Sequence, residues 1–165
     1  MHTLSPQTPD LYGGPVQTQP LVPPDFSVPE PPSHPQFRFA VLGPEYNAAD
    51  LDAWSSSIEH IHASPGFRGD RWPWRRYTLE ENLADLEQHK DHHERRLEFA
   101  WTVLDPEQPD TVIGCVYLKP DPTGAAQAEA RSWVRANRAD LDQELREHLR
   151  PWFATAWPLR VRYEA

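Results

Sequence analysis

The sequence predicts a mixed α/β domain over residues 37–165, one mostly antiparallel sheet flanked by helices, behind a proline-rich arm over residues 1–36. Three observations predict it. Short alternating or β-rich runs are bounded by proline and glycine turns, other segments carry apolar residues three and four apart, and ten of the nineteen prolines precede residue 37.

The arm, with Gln, Thr and Ser between prolines from Pro6 to Pro35, cannot sustain helix or ladder hydrogen bonds and is expected to be a disordered or polyproline-like spacer. Pro20/Pro23 and Pro29/Pro32 form PxxP pairs, the pattern of a docking ligand. Phe37–Leu42 alternates and ends at Gly43-Pro44, a strand running into a turn. Asn47 or Asp50 then caps a helix with Leu51, Trp54, Ile58 and Ile61 on one face, stopped by Ser64-Pro65-Gly66. An Arg- and aromatic-rich loop, Phe67 to Tyr77, leads to Thr78-Leu79-Glu80-Glu81, a capping box. It opens a helix through Leu79, Leu83 and Leu86 to about Arg96.

Leu97–Leu104 and Thr111–Leu118 read as an antiparallel hairpin across Asp105–Asp110, and Glu129–Ala136 as a third strand with Glu129, Arg131, Trp133 and Arg135 on one face. The last helix spans about Asp140 to Ala156 with Leu141, Leu145, Leu149, Trp152 and Phe153 as its stripe, and Pro151 predicts a kink near Arg150. Leu159–Tyr163 is a final strand. The order is β-α-α-β-β-β-α-β.

Composition narrows the function. A net charge of −9 argues against a nucleic-acid partner, which needs a cationic face. No run of apolar residues approaches a membrane span, and the N-terminus lacks a signal-peptide pattern, so the cytoplasm is expected. Lysine occurs only at Lys90 and Lys119 among many arginines, the usage of a GC-rich, bacterial genome. The single cysteine, Cys115, sits in an apolar run and reads as a buried inert thiol. His89, His92 and His93 lack a His-Glu-x-x-His pattern or a cysteine partner and read as a solvated helix face, so no metal is expected.

The element order is similar to that of the GNAT superfamily of acyl-CoA-dependent N-acetyltransferases. Phe99–Asp105 and Val112–Leu118, with its glycine, resemble that family's second and third strands, Glu129–Arg135 its fourth and Asp140–Ala156 its central helix. The resemblance implies a GNAT-like fold truncated after the fifth strand, acetyl-CoA as the acyl donor, and a small-molecule or peptide amine as the acceptor. It implies Glu129 as the base that deprotonates the amine, and Trp133, Val134, Arg135, Asn137 and Arg138 as the cofactor-binding segment. Arg71, Trp72, Trp74 and Arg75 fall in the region that shapes the acceptor site. One departure is located: the family's glycine-rich pyrophosphate loop is replaced by Arg135–Asp142, which has no glycine and carries Asp140 and Asp142. Acyl-CoA would then be held mainly by arginine side chains. The alternative reading is a non-catalytic ligand-binding or dimerisation module, a homodimer paired through its sheet edges.

Overall fold

The computed structural model describes residues 19–164, and its sheet has five strands in the order β1-β2-β3-β4-β5. These are β1 (Arg38–Val41), β2 (Phe99–Leu104), β3 (Val112–Pro120), β4 (Ala128–Val134) and β5 (Val161–Tyr163). The first three pairings are antiparallel and β4–β5 is parallel. Four helices flank it: α1 (Asn47–Ser55), α2 (Ile58–Ala63), α3 (Leu79–Glu94) and α4 (Asp142–Thr155). This is the predicted mixed architecture.

Alternation along the strands divides the core in two. Phe99, Trp101, Val103, Val116, Leu118 and Ala130 face α4 and its Leu145, Leu149 and Phe153. Ala100, Leu104, Cys115 and Trp133 face α1, α2, the 64–77 loop and α3, through Leu51, Trp54, Ile61, Phe67, Trp72 and Leu86. All seven residues of β4 are buried, so the strand carrying the candidate site runs through the middle of the protein.

Several expectations need correction. The single helix expected from Asn47 to Ala63 is two, because Ser57 turns inward: its hydroxyl donates to the Ala53 carbonyl and accepts the Ala136 N–H. In α3 the capping box is present in full, but Leu79 and Leu83 are exposed, and the buried face is Asn82, Asp85, Leu86, His89 and His92. The histidine face is therefore interior rather than solvated. Pro151 lies within an unbroken α4, and the non-helical backbone falls earlier, at Arg138 (φ −128°, ψ 31°) in a 3-10 turn over Ala136–Leu141.

The proline-rich arm, expected to be disordered to residue 36, is packed from residue 19 on. Val22 is buried, Phe26 stacks near Trp157 (5.7 Å), and the Leu21 N–H donates to the Arg96 carbonyl. The carbonyls of the two PxxP pairs are used internally: Pro23 accepts from Arg96 and Pro32 from His148. The expectation for residues 1–18 lies outside the described residues.

Gly114 fixes the β3–β4 contact. A Cβ there would stand 2.3 Å from the Trp133 carbonyl oxygen, inside the strand partner itself. Gly114→Ala is expected to destabilise the protein by about 2–3 kcal/mol through this overpacking. Thermal unfolding checks it, and a melting temperature equal to wild type would refute the close approach.

Candidate functional site

β4 and β5 pair only over Ala128–Ala130 and Val161–Tyr163. β5 ends at Tyr163, opposite Ala130. Two residues further along β4, Ser132 meets the Tyr163 hydroxyl in a 2.5 Å hydrogen bond, and burial pushes the pKa of that hydroxyl up to about 12. At the head of α4, Asp142 takes the Val134 backbone N–H and lies 2.7 Å from His60 Nε2, with Arg146 at 3.8 Å. Burial raises the Asp142 pKa, with His60 and Arg146 opposing that shift. A carboxylate of the chain itself therefore occupies the helix N-terminus, the position that favours an anion.

Of the expected cofactor-binding residues, Trp133, Arg135 and Arg138 have side-chain partners within the protein. Trp133 is fully buried and its indole N–H donates to the Tyr117 hydroxyl. Arg135 donates to the Val112 carbonyl and to Asp52, and Arg138 pairs with Asp105 at 3.5 Å. Val134 offers its backbone to Asp142, and Asn137 is exposed. The two arginines expected to hold phosphates thus each have a carboxylate partner within the protein.

Glu129 lies on the opposite face, near the start of β4. Arg162 donates to Oε2, and Arg131 Nε stands 3.3 Å from Oε1. Arg162 also donates to Asp121 and Glu164, while Arg131 donates to Asp70 and to the Gly66 carbonyl at 3.0 Å. Glu164 closes the circuit by accepting the Gly66 N–H at 3.2 Å. Both carboxylate oxygens of Glu129 thus face guanidinium groups.

Beside this network is a cavity of about 30 Å³, which exceeds the ~10–15 Å³ that holds one water. Its lining includes Asp70, Trp72, His89, Tyr117, Lys119 and Arg131. Of the expected acceptor-site residues only Trp72 reaches it. Trp74 is exposed, flanked by Arg71 (5.7 Å) and Arg75 (4.9 Å), and Arg75 is paired with Glu81. Sequence reasoning missed Lys119, Tyr117, His60 and Tyr163. Tyr117 and Lys119 share the strand parity of Cys115, opposite Arg131 and Glu129 in the register, which is the one sequence signal that could have grouped them.

Behind the cavity a polar seam runs through the α1–α3 interface. Trp54 donates to Asn82, and Asn82 donates to Asp50 at 3.1 Å and to Asn47. Burial pushes the Asp50 pKa from 3.8 up to about 7 against the Asn82 hydrogen bond, and the Asp85 charge adds to the rise. His93, also desolvated, is lowered to about 4. Burial raises the Cys115 thiol far above its ordinary value, consistent with an inert thiol. Among the described residues no group of three or more His, Cys, Asp or Glu is placed to hold a metal ion, and no helix is long and apolar enough to cross a membrane.

The fold is that of the GNAT N-acetyltransferases. Among solved structures it is similar to the ribosomal alpha-N-protein acetyltransferase RimL in complex with coenzyme A (TM-score 0.55, 14% identity, covering 76% of this chain and 68% of that one). It is also similar to the microcin C7 self-immunity acetyltransferase MccE in complex with acetyl-CoA and AMP (TM-score 0.52, 11% identity, 71% and 62%). A ribosomal-protein-S5-alanine acetyltransferase from Vibrio fischeri gives a TM-score of 0.52 at 15% identity, covering 73% and 65%. The chain thus spans about two thirds of the length of these structures. Neither the protein-family models nor the curated proteins give a match to this sequence.

A raised acid stabilises the native state fully below its unfolded pKa and loses that contribution as pH rises through the folded value. Asp50→Asn should therefore exceed wild type in stability above pH 7 by a few kcal/mol, on the order of the ~1.4 kcal/mol per pKa unit of linkage. The gap should shrink toward pH 4. Urea unfolding at both pH values measures it, and a pH-independent gap would show Asp50 ionised in both states.

Proposed function

We propose that the chain is a GNAT-type N-acyltransferase-like protein, in which acyl-CoA lies along the parallel β4–β5 pair and an amine approaches from the face of Glu129 and Trp72. The observation that carries this reading is the parallel pairing of β4 with β5 beside α4, the one parallel pair among the described strands. The relatives solved with coenzyme A or acetyl-CoA on the same fold support it. In this reading Ser132, the Val134 N–H and Tyr163 border the acyl group, and Tyr163, protonated at neutral pH, is placed to supply a proton to a leaving thiolate. Glu129 serves as base only when Arg162 or Arg131 swings off its carboxylate. Acetyl-CoA remains the expected donor and the acceptor is a small-molecule or peptide amine.

The pyrophosphate must displace Asp142 from the head of α4. Asp142→Asn removes the like charge and should bind acetyl-CoA about tenfold more tightly than wild type, the ~1.4 kcal/mol of one modest electrostatic contact. Isothermal calorimetry on both proteins tests this. Absence of heat from either at millimolar ligand would defeat the acyl-CoA reading.

The engagement of Glu129, Arg135 and Arg138 favours a second reading, a non-catalytic binding module that pairs with a copy of itself. The sheet edges are β1, with Val41 43% exposed, and β5. Sedimentation should then show a dimer that Val41→Lys dissociates, whereas a monomer at all concentrations would remove this reading.

A further inference from the structure

Lys119 is one of two lysines in the chain and lines the cavity on the Glu129 face of the sheet. Its surroundings are crowded with charge, yet every neighbour is already matched. Arg131 on β4 holds Asp70 of the 64–77 loop, Arg162 on β5 holds Glu129, and Glu98 accepts from His92 of α3 at 3.1 Å. The Lys119 amine makes no hydrogen bond and no ion pair within 4 Å among the described residues, while its backbone is held in the β3–β4 ladder. The wall is otherwise aromatic, with Phe67, Trp72, Phe99 and Tyr117. Burial lowers the Lys119 pKa first and Arg131 second, while Glu129, Asp70 and Glu98 only partly restore it. An amine that is partly desolvated, beside a guanidinium and without a carboxylate of its own, is an activated nucleophile.

We propose that Lys119 is an acylation site, its amine taking a small activated acetyl group that enters the cavity. The neutral Nζ attacks the acetyl carbonyl, and a C–N bond forms as the bond from carbonyl carbon to the leaving oxygen or sulfur breaks. The leaving phosphate or thiolate departs with the electron pair, and the surplus amine proton passes to water. The donor is an acyl phosphate or a thioester, the two sources of the same electrophile. The acyl-phosphate route needs no cleft between β4 and β5 and stands apart from the acyl-CoA reading.

Lys90 is exposed on α3 and serves as the internal control. The wild-type chain is treated with acetyl phosphate or acetyl-CoA at several pH values, and acetylation at each lysine is followed by peptide mass spectrometry. With at least one donor, Lys119 should react about fivefold or more faster than Lys90 at neutral pH, since a lower pKa raises the free-amine fraction more than it weakens the nucleophile. Its rate should level off at lower pH than that of Lys90. In denaturant the two should react alike. Reaction with acetyl phosphate assigns the acyl-phosphate route even where acetyl-CoA does not bind, and reaction with acetyl-CoA alone assigns the thioester. Lys119 reacting no faster than Lys90 with either donor, or a preference that survives denaturation, would overturn the proposal.

Discussion

Arg131 is the constraint on which the rest of this protein depends. It is 9% exposed on the fully buried strand β4, lies 4.5 Å over the Phe67 ring, and joins Asp70, the Gly66 carbonyl and Glu129. A buried guanidinium needs its hydrogen bonds met by groups of fixed geometry, since desolvation leaves no water to substitute. Those partners come from a loop between helices and from β4 itself, while Arg162 on β5 takes the far oxygen of Glu129. Gly66 must be glycine here: its φ is +88°, and a Cβ would press on the Arg131 side chain at 3.1 Å. One charge thus ties the 64–70 loop, β4 and the last strand into a closed circuit.

The circuit also shapes what chemistry is open to the site. Charges that sequence patterning presents as candidates for a ligand are used to hold the protein together. Glu129 is the clearest case. On the other face of β4 the same economy applies, with Asp142 lying against the Val134 backbone and His60. Two sides of one strand are satisfied by different means, salt links on one and a helix-head carboxylate on the other.

Local rules made most of the fold legible. The Thr78–Glu81 capping box, the hairpin across Asp105–Asp110 and the glycine of β3 each depend on residues a few positions apart, and the structure has all three. What failed depended on distant partners. Leu79 and Leu83 make a convincing stripe, but α3 turns its Asn82, Asp85 and His89 inward because Asp50, Trp54 and Tyr117 are there to meet them. Arg135 and Arg138 read as available cations, yet Asp52 and Asp105 claim them from other elements. Val22 and Phe26 sit among prolines whose composition signals disorder, and only the surface around Trp157 explains their order. His60 and Asp142 meet across about half the chain, with nothing local to announce it.

The carboxylate at the head of α4 carries a consequence for any ligand sought there. Asp142 is built into the first turn of α4, so it competes as an internal ligand whose effective concentration is set by geometry and not by dilution. A free anion must outbid a competitor that never leaves, and raising the protein's purity or lowering its concentration changes nothing. Weak binding to the native chain would therefore measure the strength of that tether as much as the quality of the cleft beneath it.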